Sequence, residues 1–201
     1  NLVSKNNSIE SYIFSAKTLA IYGHFLLEGE EAKQVFKKAR EFAFLALEND
    51  YNNDNAHLEA AHTMGRYSQS IGILSALKEG YAEKISFHLD EAIKINPKNI
   101  LAQISKGTWH AEIVDKAGFM ANILYGATAD QARIHYEKAL KLNKNDLGVF
   151  YEIAYGLFLL DEKDDISKAK KLLKKVLDSD PKSHLDKIYI KKSKELTESF
   201  Q

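Results

Sequence analysis

The chain has 201 residues, room for one domain or a short repeat array. Its 28 Lys+Arg balance its 28 Asp+Glu, so it has neither the basic excess of a nucleic-acid-binding surface nor a charged tail. With no cysteine it forms no disulfide, cysteine-ligated zinc site or thiolate nucleophile, while 45% hydrophobic residues suffice for a packed core.

In chain order, residues 8–50 read as a helical hairpin broken at Glu28-Gly29-Glu30. A long repeat over about 51–97 follows. Its second helix is expected near 82–95, where Ile85, Leu89, Ala92 and Ile93 form one apolar stripe. Pro97 stops that helix. A second long repeat over about 98–144 has its second helix near 129–142. A shorter repeat, 145–181, has its second helix near 165–178, with Ala169, Leu172, Leu173, Val176 and Leu177 on one face and lysines on the other. Residues 182–201 read as a capping helix, with Leu185, Ile188, Tyr189 and Leu196 set among charges. No segment alternates with the period of a strand. The reading is all-α.

The repeats are visible in HLDEAIKINPKN (88–99), HYEKALKLNKND (135–146) and KLLKKVLDSDPKS (171–183), with a fainter copy in REFAFLALENDYNND (40–54). Their polar stops fall at Tyr51, Pro97, Lys144 and Pro181. Two further segments correspond at an offset of 46 residues: GILSALKEG (72–80) and GFMANILYG (118–126). A glycine at each end predicts a short apolar helical segment with a kink before it and a cap after it. We expect these inserts to extend or follow the first helices of consecutive repeats and to pack against each other.

The second helices resemble those of the tetratricopeptide repeat (TPR): a small residue, a larger one four later, a small one three after that, then a stop. Here these are Ala132, Tyr136, Ala139 and Lys144; Ala169, Leu173, Val176 and Pro181; Ile85, Leu89, Ala92 and Pro97; and Ala39, Ala43, Ala46 and Tyr51. The first helices match loosely. The stretch GTWHAEIVDKAGFMANILYGA (107–127), with its Gly-x-Trp, its apolar insert and the Tyr-Glu-Lys-Ala-Leu helix that follows, resembles the TPR-like domain of the regulator of microtubule dynamics proteins and their bacterial relatives. The resemblance implies a right-handed superhelical array of antiparallel helix pairs, one domain spanning 1–201, acting as an interaction module.

That fold implies a concave face lined by first helices. The inward set would be Leu58, His62 and Arg66, then Ile104, Thr108 and Glu112, then Tyr151, Tyr155 and Phe158. The carboxylate clamp of peptide-tail-binding TPR proteins is absent, since its positions hold Leu58, His62, Ser105, Gly148 and Glu152. We take His62, Arg66, Thr108, Glu112, Tyr151 and Tyr155 as the candidate binding residues. Tyrosines give broad apolar contact with one hydrogen-bonding end, which suits a peptide or a small amphipathic ligand. The competing reading is an internal polar network that only fixes the register of the repeats.

Chemistry is otherwise sparse. Glu59-x-x-His62 has di-iron spacing, but a di-iron site needs a second such motif and there is none. His110 and Glu112, and His57 and His62, diverge on a helix. Trp109 reads as a packing residue. The lysines from Lys163 to Lys175 read as a solvated face. No catalytic or phosphate-binding motif occurs, so we expect no enzyme activity and no cofactor or metal. The expected function is a protein- or peptide-binding scaffold, with a small-molecule or lipid carrier as the alternative. No stretch approaches the roughly 20 apolar residues of a membrane helix. The start at Asn1 is polar and does not read as a signal peptide. The expectation is a soluble chain, periplasmic if a targeting segment has been removed and otherwise cytoplasmic.

Overall fold

The computed structural model describes residues 8–143 and 145–199. Lys144, the polar stop of the third second-helix segment, lies outside them, as do 1–7 and 200–201. The described residues form eleven helices and no strand. Packing divides them into two units, one up to Ala102 and one from Gln103.

The first unit opens with α1 (Ile9–Leu26) and α2 (Gly29–Asn49). Ser8 and Ser11 close a capping box at the start of α1. The hairpin breaks at Leu27 and Glu28, before a left-handed Gly29. α3 (Asp54–Ile71) packs on α1, α2 and α5 (Tyr81–Ile95), with the short α4 (Ile73–Lys78) between α3 and α5. Ala39, Ala43 and Ala46 are fully buried and let α2 approach its neighbours closely, while Met64 and Tyr81 fill the space between. The unit ends in the first turn of α6 (Ile100–Ala117).

The second unit contains the rest of α6, then α7 (Met120–Tyr125), α8 (Ala129–Leu142), α9 (Leu147–Leu160), α10 (Lys163–Leu177) and α11 (His184–Glu198). α9 packs on α8, α10 and α11. The expected second helices are α5, α8 and α10, and the capping helix is α11. The small–large–small residues of α8 and α10 are all buried: Ala132, Tyr136 and Ala139, then Ala169, Leu173 and Val176.

Equivalent residues start the first helices. Asn53 accepts from the Asn55 and Ala56 N–H groups, Asn99 from that of Ala102, and Asp146 from those of Gly148 and Val149. Each satisfies amides that a helix start leaves orphaned.

Both inserts are helical, and all four bracketing glycines (Gly72, Gly80, Gly118 and Gly126) have positive φ. At Gly118 an added Cβ would meet nothing within 4 Å. The glycine is therefore required by backbone conformation alone, not by close approach of a neighbour.

Candidate functional site

All six sequence-selected residues are half-buried: each is held by its helix yet reaches solvent. In the first unit, His62 and Arg66 lie one turn apart on α3. His62 Nδ1 stands 3.6 Å from a carboxylate oxygen of the buried Glu59. The Glu-x-x-His spacing thus makes a local pair. Arg66 donates to Gln69 (3.3 Å) and lines a cleft of about 540 Å³ with Gln69, Ser70 and hairpin residues that include Glu28, Glu30 and Lys33.

In the second unit, Thr108, Glu112 and Tyr155 gather around the buried Tyr136 hydroxyl. Tyr136 donates to Thr108 Oγ1 (3.3 Å). Burial raises the phenol's pKa; the Thr108 hydrogen bond opposes this, and the charges of Glu112 and Glu152 and the Tyr155 ring reinforce it. The ring fits because glycines face it. A Cβ at Gly107 would lie 2.5 Å from a Tyr136 ring carbon, and one at Gly156 would lie 1.7 Å from its hydroxyl. Glu112 also pairs with Lys116 (3.5 Å). Tyr151 packs instead against Tyr189 of α11, with ring centroids 5.6 Å apart and the rings tilted by 43°. Thr108 and Tyr151 therefore have structural work, whereas His62, Arg66, Glu112 and Tyr155 carry functional groups at the surface.

Sequence reasoning missed two buried polar pairs. In the first unit His57 Nδ1 meets His88 Nδ1 at 2.9 Å, and His57 Nε2 meets the Tyr51 carbonyl oxygen at 2.9 Å. The carbonyl only accepts, so Nε2 carries the His57 proton and His88 donates to His57 Nδ1. Burial, then His57, depresses the His88 pKa to about 4. In the second unit His135 Nδ1 donates to Gln103 Oε1 at 2.7 Å. His110 stacks on His135 and accepts the Thr128 N–H, and burial, then Lys106, depresses it to about 4. Trp109 is buried beneath the Lys106 ammonium, 4.7 Å from the ring centroid.

It also missed the strongest ion pair. Both carboxylate oxygens of the buried Asp165 accept from Arg133, which Glu162 and Asp130 also hold. The Asp165 hydrogen bonds, then Glu162, keep the guanidinium protonated well above its usual range.

Among the described residues, the inserts carry the most exposed large apolar side chains. On α4, Leu74 is 81% exposed, with Ile73 and Leu77 beside it; at α7, Phe119 is 85% exposed, with Ile123 and Leu124 beside it. Neither 72–78 nor 118–125 contains an acidic residue.

This is an all-α, TPR-like succession of helix pairs. A solved TPR protein of Thermus thermophilus has the same fold: its TM-score is 0.62 at 15% identity, over 92% of this chain and 81% of that one. A second structure, YrrB, described as a TPR protein with an unusual peptide-binding site, covers 94% of both chains at 16% identity. Its TM-score of 0.34 carries no argument. No curated protein sequence matches. The sequence profile of the family "Regulator of microtubule dynamics protein 1-3" matches residues 6–201. The chain belongs to that family. Among the described residues, no helix is long and apolar enough to cross a membrane.

Proposed function

We propose that this chain is a non-enzymatic interaction module that binds a peptide or protein partner through its inserts and the adjoining first-helix faces. The observation that carries this reading is the exposure of large apolar side chains on both inserts, Leu74 and Phe119 above all. Large apolar side chains held in water by a short, glycine-bracketed helix cost solvation and contribute little to folding. Several such side chains on one short segment are a common mark of an interaction surface. The inserts follow α3 and α6, so His62 and Arg66 precede one and Thr108 and Glu112 the other along the same helices. His62 and Arg66 in the first unit, and Glu112 and Tyr155 in the second, are the proposed polar and aromatic contacts beside each unit's own apolar insert.

Native mass spectrometry of the chain purified from its source tests this reading. A stoichiometric second polypeptide, lost when Leu74→Ser and Phe119→Ser are introduced together, is the expected result. A retained small molecule with no bound polypeptide would favour the carrier alternative and contradict the proposal.

A further inference from the structure

The lysines of α10 do more than face water. Lys168, Lys171 and Lys175 lie on one face of the helix, and together they rim a slot of about 270 Å³ in the second unit. Its floor is apolar: Leu140 of α8, Ile153 and Leu157 of α9, and Leu172 of α10. Among the described residues, no carboxylate lies within ion-pair distance of these three lysines; Lys175 instead sits 5.2 Å over the Phe150 ring. Arg133 also lines the slot, but its charge is already met by Asp165, Glu162 and Asp130. Glu137 is the one acidic residue at the rim.

We infer that this slot docks an acidic amphipathic helix of a protein partner, and the inference rests on the peptide-binding reading above. The apolar floor takes large aliphatic or aromatic side chains from the partner, and the lysines take its carboxylates. The spread of the lysines favours a peptide over a small anionic amphiphile. Lys175 lies seven positions after Lys168, about 10 Å at 1.5 Å per residue, or two helical turns. One headgroup cannot engage all three cations over that length. Carboxylates at i, i+3 or i+4, and i+7 of a partner helix repeat at the same interval. The slot holds one or two side chains and no helix backbone, so the partner helix lies across the mouth. Such binding is steered by charge and weakens with salt.

The test is selection of random 16-residue peptides displayed on phage against the full chain, with affinities then measured by fluorescence anisotropy. The expected peptides carry Asp or Glu beside Leu or Phe at helical spacing. Lys168→Glu/Lys171→Glu/Lys175→Glu should bind them at least about tenfold more weakly. Lys163→Glu/Lys170→Glu/Lys174→Glu, with the same charge change on the same helix but outside the slot, should bind within about threefold of the unaltered chain. Circular dichroism of both variants confirms that they remain helical. Selection of basic or uncharged peptides, or equal affinities for the two variants, would overturn the slot assignment alone. Dodecanoate binding that needs the three slot lysines, with no acidic peptide enriched, would overturn it in favour of a small amphiphile. Loss of binding only in Leu74→Ser/Phe119→Ser would leave the interaction reading standing and remove the slot. If no peptide is enriched and no polypeptide co-purifies with the chain, both fall.

Discussion

The two units contain copies of one repeat, yet the same positions do different chemistry. His57 and His88 in the first unit correspond to Gln103 and His135 in the second, 46 and 47 residues on. Both pairs place a side-chain hydrogen bond between a first and a second helix, at 2.9 and 2.7 Å. The first latch joins two titratable rings; the second joins a ring and an amide. Packing varies in the same way. The position of Tyr136 is held by Leu89 in the first unit, and that of Gly107 by Ala61. By repeat register, leucine and alanine stand in the first unit where the second sets a large ring against a glycine. The repeat keeps its register while residues at matching positions trade size and polarity.

Four changes break or sharpen this comparison. The largest effect is expected from Arg133→Ala. It strips the buried Asp165 of its bidentate partner and leaves a desolvated charge, a loss of about 3–5 kcal/mol measurable by urea denaturation. In the first unit the position 47 residues before Arg133 is Ser86, whose neutral side chain cannot form such an ion pair.

Next is Gly156→Val. Its Cβ would fall 1.7 Å from the Tyr136 hydroxyl, and overpacking should cost about 3 kcal/mol. Adding Tyr136→Leu, the residue of the first unit, should recover most of that loss. If it does not, the size trade is not what holds the helices apart.

Acid comes third. His88 and His110 are depressed to about 4 in the folded chain, against 6.5 unperturbed. The unfolded chain therefore binds more protons between those values. Their contribution is complete above pH 6.5 and is lost as the pH falls towards 4, by about 2–3 kcal/mol for each histidine. His88→Gln should roughly halve the pH slope of the melting temperature, because His110 remains.

The smallest effect is expected from His57→Gln, which rebuilds the second unit's latch in the first. Stability should change by about 1 kcal/mol or less, because His88 keeps an acceptor. The His88 pKa, read by NMR, should rise as its positively chargeable neighbour is removed. A fall, or unfolding, would show that the two latches are not equivalent.

The sequence made the helices legible because their signal is local. Small–large–small stripes delimited α5, α8 and α10, and paired glycines delimited α4 and α7. Each latch was hidden because it joins residues about thirty positions apart on different helices. On its own helix His57 diverges from His62, and nothing local points to His88. The available signal was the 46- and 47-residue offset, which aligns His57 with Gln103 as well as His88 with His135. Arg133 and Asp165 were two charges among 56, with nothing local to mark burial. The six candidate residues came from fold geometry. That geometry identified first-helix positions that reach solvent, but not that Thr108 would serve Tyr136 or that Tyr151 would pack against Tyr189. The α10 lysines read as solvated because the slot beside them is built mainly by α8 and α9.

The central claim is that the inserts are recognition elements and the helices beneath them are their support. Its most direct test is a photo-reactive benzoylphenylalanine placed at position 74, at position 119, or at the buried position 89 as a control, and irradiated in the source cell. The account predicts adducts to one discrete polypeptide from positions 74 and 119 and none from position 89. Irradiation that yields no polypeptide adduct from either insert, while the chain remains folded, would contradict it.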